Sequence, residues 1–218
     1  MSLLDDVDRL IDERHLLTHS FYTKWVAGEL PNEAIQEYAK QYFAFEASFP
    51  RFLSAIHSRT EDPAVRQGIL ENLWDEEHGE ENHRELWLRF AEGVGVDRSD
   101  VMSARLNEAT EALVETYRDA AEDPVAGLAA IHAYERQVPA VAEAKINGLA
   151  EHYGIDDERT VAFWKVHRSL DVEHAETERG ALEEASSEAV LEGTRRALDA
   201  WWTFLDAVDV PAEPGSVS

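Results

Sequence analysis

The 218-residue sequence contains no cysteine, only two methionines and only four lysines. Without cysteine, the protein has no disulfide, no thiolate metal ligand and no cysteine nucleophile. The sequence also lacks a run of about 20 apolar residues that could span a bilayer. The start of the chain lacks the basic and apolar segments of a signal peptide. We therefore expect a cytoplasmic protein.

Basic residues are scarce as well. The chain has 45 acidic residues against 20 basic ones, for a formal net charge of −25. Such a surface repels phosphate, so we expect neither nucleic acid nor a membrane as a partner. An acidic, lysine-poor surface is typical of a halophilic protein, whose self-repulsion is screened by concentrated salt. An acidic mesophilic enzyme is the alternative interpretation.

Helical periodicity is what the sequence does contain. Apolar residues recur every three or four positions, and no segment shows sustained strand alternation. These features predict an all-α bundle in one domain over residues 1–210, with a flexible tail at 211–218. The predicted helices span about 2–16, 19–28, 32–58, 63–91, 98–121, 125–152, 157–184 and 187–207.

Two of these predicted helices contain an internal proline, Pro50 and Pro139. A proline removes the hydrogen bond to the carbonyl four residues earlier and bends the helix. The freed carbonyls belong to Glu46 and Glu135. The sequence therefore predicts two distortions, each beside a carboxylate in the middle of the bundle.

One predicted helix carries the segment LWDEEHGEENHRELW at residues 73–87. Glu76 and His83 are seven positions apart, which is two helical turns, so we expect them on one face. Glu80 is expected on the same face.

A later segment, FWKVHRSLDVEHAETE at 163–178, places His167, Asp171 and His174 on one helical face by the same reasoning. Glu135 is a third element, because it lies among apolar residues in AIHAYERQVPA. Buried carboxylates and histidines need partners, and divalent metal ions can provide them.

Carboxylate and imidazole ligands without thiolate suit iron or manganese, and helical bundles commonly hold di-iron sites. Spacing alone leaves two ligand sets open, which share His83, Glu135, Asp171 and His174. A ferritin-like set adds Glu80 and Glu46, whereas the other adds Glu76 and His167.

The pattern Glu76-x6-His83, Glu135 in AYERQVP, and His167-x3-Asp171-x2-His174 resembles the heme-oxygenase-like di-metal oxidases. Within that group it is similar to the chlamydial protein associating with death domains (CADD) and its bacterial relatives. The resemblance covers most of the chain. It implies a heme-oxygenase-like bundle of about seven helices, related to TenA and PqqC proteins, and it implies the ligand set with Glu76 and His167.

The resemblance also implies an activity. Such relatives make p-aminobenzoate, the folate precursor, from their own side chains, using two divalent metals (Fe/Fe or Mn/Fe), dioxygen and an external reductant. Tyr22 matches the consumed tyrosine, and Lys145 matches the amino donor. Tyr38 and Tyr134 match further tyrosines of the pocket. From the residues alone, a tyrosine in the position of Tyr22 is more often a core residue, and an ion pair of Lys145 with Glu143 or another nearby acid is the alternative to a role as amino donor.

Several alternatives remain open at this point. A metal-dependent oxidase of an external small molecule would keep the site but spare Tyr22. A PqqC-like oxidase would work without metal, and a TenA-like hydrolase usually relies on the cysteine that is missing here. Trp201, Trp202 and Phe204 form an apolar stripe that suggests a homodimer or simply core packing.

Overall fold

The computed structural model describes residues 2–183 and 185–209, without the side chains of 169–173. Over these ranges the chain forms twelve α-helices and one short 3-10 helix, with no strand. The predicted all-α class is confirmed, whereas the predicted tail at 211–218 lies outside the described residues. The helices are α1 (Leu3–Glu13), α2 (Ser20–Ala27), α3 (Asn32–Glu46), α4 (Phe49–Arg59), α5 (Pro63–Glu77), α6 (His83–Gly93), α7 (Arg98–Met102), α8 (Glu108–Ala120), α9 (Pro124–Glu135), α10 (Val138–His152), α11 (Glu158–Leu182) and α12 (Ser187–Val208).

The number of helices is larger than the expected seven or so, because four predicted long helices are each divided in two. The two internal prolines mark two of these breaks. Pro50 and Pro139 are each the second residue of a new helix, α4 and α10, where a missing N–H costs nothing. The preceding helices therefore end at Glu46 and Glu135. The prolines cause full breaks rather than the bends that the sequence predicted.

A third break separates α5 from α6 and corrects the expectation of one helix over 63–91. Residues 78–82 form a turn in which Gly79 has a φ of 85°, a left-handed conformation that favours glycine. The Asn82 side chain then caps α6 by accepting a hydrogen bond from the N–H of Glu85. Glu76 and His83 consequently lie on different helices that meet at this turn. Similarly, residues 103–107 separate α7 from α8.

Other sequence signals for helix starts are confirmed. Asp62 and Asp123 each cap a helix by accepting two backbone N–H bonds, and a proline follows each of them at the first helical position. These caps fix where α5 and α9 begin. They thereby position Glu76 and Glu135, which lie at the far ends of these two helices.

Large aromatic side chains fill the centre of the bundle, and the buried apolar residues form one cluster. Trp201 and Phe204 belong to that cluster, so these two residues give no support to a dimer interface. A homodimer stays a prediction. In the two described stretches, no helix combines the length and apolar character of a bilayer span.

Helix α12 approaches α9 closely at Gly193. A Cβ built at Gly193 would lie 2.4 Å from the carbonyl oxygen of Ala126, which is backbone and cannot rotate away. Gly180 on α11 is helical too, but a Cβ there would meet nothing within 4 Å.

We predict that Gly193→Val destabilises the protein by about 1–3 kcal/mol, because it overpacks the α9–α12 contact. Gly180→Ala is the matched control and should be neutral or stabilising by up to about 1 kcal/mol, since alanine favours the helix. Urea denaturation at one fixed metal content measures both. Equal stability of the two variants would contradict the close approach of these helices.

Candidate metal centre

Three predicted ligands meet at the junction of α5, α6 and α11. Glu76 is the penultimate residue of α5, His83 is the first residue of α6, and His167 lies on α11. One potential ligand atom from each side chain lies within 4.8 Å of the other two, and all three residues are buried. His83 Nδ1 lies 2.8 Å from Glu76 Oε1. This spacing is compact enough for one metal ion to contact all three groups.

The His167 ring is oriented as a metal ligand usually is. Its Nδ1 lies 2.9 Å from the carbonyl oxygen of Phe163. A carbonyl only accepts hydrogen bonds, so Nδ1 must carry the proton and Nε2 keeps its lone pair. Burial, together with the neighbouring charge of His83, holds the pKa of His167 well below its usual value. The neutral, metal-binding form of His167 is therefore favoured.

His83 experiences the opposite electrostatic environment. Burial lowers the pKa of His83, but the nearby carboxylates of Glu76 and Glu46 outweigh burial and raise it to about 9. The Nδ1 nitrogen is close to Glu76 Oε1 but is not aligned with it as a hydrogen bond. The two carboxylates therefore favour a positive charge at this position, which either a proton on His83 or a metal ion supplies.

Glu135 and His174 lie next to this trio. Glu135 ends α9, and its Oε1 accepts a hydrogen bond of 2.8 Å from Asn72 Nδ2. Burial raises the pKa of Glu135, while the proximity of His174 opposes the increase. His174 Nε2 lies 3.2 Å from Asp75 Oδ2. The side chain of Asp171, the sixth predicted ligand, lies outside the described residues.

The residues that are present suit a divalent metal. Glu46 Oε1 and Glu76 Oε2 are buried, and neither has a hydrogen-bond partner within the part of the chain that the structure describes. In the described part of the chain, no lysine or arginine forms an ion pair with Glu46, Glu76 or Glu135. Oxygen and imidazole donors of this kind favour iron or manganese. A cation at this position would neutralise carboxylates that no lysine or arginine of the described residues neutralises.

Glu80 does not join these residues, contrary to the expectation that it shares a face with Glu76 and His83. It is exposed in the turn between α5 and α6, because the break at Gly79 ends the helical periodicity. Glu46 is buried near Glu76, but it is outside the compact group formed by the trio.

Sequence reasoning overlooked two polar residues near the site, Asn72 and Glu178. Asn72 lies four residues before Glu76 on α5, and Glu178 lies four residues after His174 on α11; both are buried. Extending the helical periodicity by one turn on each helix would have identified them.

A second cluster of predicted residues surrounds Lys145 on α10. The Lys145 Nζ donates a hydrogen bond to the Tyr38 hydroxyl and lies 5.1 Å from the centroid of the Tyr22 ring. The same amine lies 4.3 Å from the centroid of the Tyr38 ring. The structure thus brings together three side chains that are widely separated in sequence, and all three are buried.

Lys145 does not pair with Glu143, because Glu143 lies on the exposed face of α10. It also lies on a different helix from Glu135, since the break before Pro139 separates α9 from α10. Burial among aromatic rings lowers the pKa of Lys145 well below its usual value. The low pKa favours the neutral, nucleophilic amine over the ammonium ion.

Tyr134 joins this cluster through Tyr42, which sequence reasoning did not select. The hydroxyl groups of Tyr42 and Tyr134 contact each other, and the Tyr42 ring lies 5.4 Å from the Tyr38 ring. Tyr134 directly precedes Glu135, so the tyrosines form a continuous chain between Lys145 and a predicted metal ligand.

Helix α11 provides a second connection between the two clusters. Lys145 Nζ lies 3.8 Å from the centroid of the Trp164 ring, and Trp164 packs edge-on against Phe163. The Phe163 ring lies 4.1 Å from the His167 ring. The amine and phenol groups therefore share one buried region with the candidate metal ligands.

A fold and a site of this kind define a redox enzyme built on a helical bundle, and comparison with known proteins agrees. Residues 36–202 match the family described as iron-containing redox enzyme. The chain belongs to this family, its fold is heme-oxygenase-like, and we assign it to the oxidoreductases.

Named relatives cover nearly the whole chain. A 4-aminobenzoate synthase from Nitrosomonas europaea is 43% identical, over 93% of this chain and 89% of its own length. A 4-aminobenzoate synthase from Chlamydia muridarum is 40% identical, over 97% and 92%. Among solved structures, a TenA homologue from P. horikoshii has a TM-score of 0.77 at 16% identity, over 95% of this chain and 98% of its own. That last similarity concerns the fold alone.

We predict that Glu76→Gln weakens metal binding by more than the ~10–100-fold typical of losing an outer-shell partner. The substitution replaces an anionic oxygen ligand with an amide of the same shape. Glu80→Gln is the matched control, because Glu80 is exposed, and it should bind metal as the wild type does. Equilibrium titration with Mn²⁺ measures both. Equal loss in the two variants would contradict the assignment of Glu76.

We also predict that Lys145→Met stabilises the apoprotein at pH 7 by about 1 kcal/mol or more, because it removes a buried polar group. The pKa of Lys145 is lower in the folded state than in the unfolded state. At a pH between these two values, the unfolded state therefore binds more protons than the folded state. Wild-type stability therefore rises with pH until the unfolded pKa is reached.

The advantage of Lys145→Met should consequently shrink between pH 7 and pH 10. Lys165→Met is the control, because Lys165 is partly exposed and paired with Glu158, and it should change stability by at most about 1 kcal/mol. Urea denaturation at both pH values measures the effect. An advantage that is independent of pH would rule out a depressed Lys145 pKa.

Proposed function

We propose that the protein is a dioxygen-dependent dinuclear metal oxidase that makes p-aminobenzoate from its own Tyr22, with Lys145 as the amino donor. The observation that carries the proposal is the position of the Lys145 amine, 5.1 Å from the Tyr22 ring in a buried aromatic cluster. The names of the relatives from N. europaea and C. muridarum support the same product.

The residues proposed to hold two divalent metals, Fe/Fe or Mn/Fe, come from four helices. Glu76, His83 and His167 would form one part of the centre, and Glu135 and His174 would lie beside them, with Asp171 as the remaining ligand. Bound metals would supply the redox chemistry with dioxygen after an external reductant has reduced them.

The product restricts which bonds change. p-Aminobenzoate carries an amine and a carboxyl group para to each other, and the ring of Tyr22 carries a hydroxyl group para to Cβ. Breaking the Cα–Cβ bond leaves glycine at position 22 and makes Cβ the carboxyl carbon. This is a four-electron oxidation, which one dioxygen molecule balances. The Lys145 nitrogen replaces the ring hydroxyl, while a hydroxyl replaces the amine on Lys145 without net oxidation.

The surrounding side chains prepare both reactants. Close packing of aromatic rings excludes water, which keeps the Lys145 amine neutral and therefore nucleophilic. The Tyr38 hydroxyl accepts the hydrogen bond from Lys145, whose amine lies 5.1 Å from the centroid of the Tyr22 ring. Tyr38 therefore holds the amine next to the ring that it is proposed to modify.

Isotope labelling tests whether the substrate is internal. Protein produced with ring-labelled tyrosine is loaded anaerobically with iron and manganese, reduced, and exposed to dioxygen. We expect labelled p-aminobenzoate, at no more than one product per chain, and a peptide map with glycine at position 22. Unlabelled product, or an intact Tyr22 after turnover, would point instead to oxidation of an external molecule.

Two substitutions complete this test. Tyr22→Phe should abolish product because the ring no longer carries a hydroxyl to exchange, and Lys145→Arg should abolish it because guanidinium does not release its nitrogen as an amine. Tyr117→Phe is the control: Tyr117 is also buried, but its hydroxyl contacts Trp201 and the Ala130 carbonyl. That variant should form product at the wild-type level.

A further inference from the structure

A polar cavity of about 380 Å³ lies where two helix breaks meet, between α3 and α4 and between α5 and α6. Glu77 and Arg84 in its wall are exposed to solvent, whereas Glu46 and Glu76 are buried. The cavity therefore connects the protein surface with a residue of the candidate metal trio. Its lining residues are Glu46, Ala47, Pro50, Glu76, Glu77, Asn82 and Arg84.

Glu46 is the side chain in this cavity that the metal site leaves unexplained. It is only 4% exposed, and its Oε1 has no hydrogen-bond partner among the described residues. It ends α3, where the partial negative charge of the helix dipole makes a buried carboxylate still less favourable. A carboxylate in this position is costly unless it binds a proton or a cation.

The position of Glu46 distinguishes it from the proposed ligands. Ligand atoms of Glu76, His83 and His167 form a compact group, and Glu46 is not part of that group. Glu46 nevertheless shares the cavity with Glu76, whose Oε2 likewise finds no hydrogen-bond partner in residues 2–183 and 185–209 outside the side chains of 169–173. Glu46 therefore lies beside the metal site, in the same cavity that opens to solvent.

We propose that this cavity, the entry pocket, is the route by which a divalent cation reaches the metal centre. Glu46 accepts the ion from solvent and passes it to Glu76. The proposal rests on the metal centre described under the proposed function. A polar, acidic passage favours a hydrated cation over dioxygen, which is apolar.

Arg84 carries the opposite charge to Glu46 in the same pocket. It lines the pocket on the solvent side, and its guanidinium carbon lies 5.5 Å from the centroid of the Phe43 ring. A fixed positive charge there opposes the approach of a cation. Removing it should therefore change the rate of metal uptake in the direction opposite to removing Glu46.

Rates of metal uptake and release test the route. Apoprotein is mixed with Co²⁺ in a stopped-flow instrument, and the ligand-field absorbance reports loading. Release into excess chelator is followed in the same way. In Glu46→Gln we expect both rates to fall about tenfold or more, with the final spectrum and the Co²⁺ stoichiometry unchanged. Arg84→Gln should load faster than wild type.

Two further variants separate charge from access. Ala47→Trp places a bulky side chain in the pocket without changing any charge, and it should slow both rates. Glu80→Gln removes an exposed acidic residue of the neighbouring turn that does not line the pocket, so it should load at the wild-type rate. Circular dichroism of each apoprotein establishes that it is folded.

Wild-type loading rates in both Glu46→Gln and Ala47→Trp would overturn the proposal, because the ion would then enter elsewhere. A changed final spectrum or stoichiometry in Glu46→Gln would also overturn it, since Glu46 would then be a ligand. Failure of the wild type to bind Co²⁺ at all would instead reject the metal centre itself. The two failures are therefore distinguishable.

Discussion

Burial of carboxylates that no lysine or arginine of the described residues neutralises is the constraint on which the site depends. Glu46 and Glu135 end their helices, and Glu76 lies one residue from the end of α5. Each carboxylate therefore sits near the negative end of a helix dipole, in an interior that penalises charge. A neutral arrangement requires protons or a cation. Mixed oxygen and imidazole donors at this position make a divalent metal the natural solution.

The breaks between helices create this arrangement. A continuous helix would space Glu76 and His83 by two turns along a single axis. The turn at Gly79 instead ends one helix and starts another, so the two side chains approach within 2.8 Å. Proline has the same effect at two other places, because Pro50 and Pro139 start new helices just after Glu46 and Glu135.

Burial has a different effect in the cluster of Lys145, Tyr22 and Tyr38. Around Lys145 the partners are aromatic rings and the Tyr38 hydroxyl, so desolvation favours the neutral amine. At the metal site, burial is combined with carboxylates that attract a cation. The two regions meet along α11, where Trp164 contacts the lysine and His167 joins the metal ligands. One helix thus links the Lys145 amine to the candidate metal centre.

Local patterns in the sequence determined the helical class, the helix starts at Asp62 and Asp123, and the candidate ligands, because caps and periodicity are local properties. The tertiary structure decided what those patterns left open. It exposed Glu80 and buried Glu76, because the turn at Gly79 ends the helix between them. It also brought Tyr22 against Lys145, two residues separated by more than half of the chain. Contacts of that kind depend on how helices pack, and helical periodicity carries no information about packing partners.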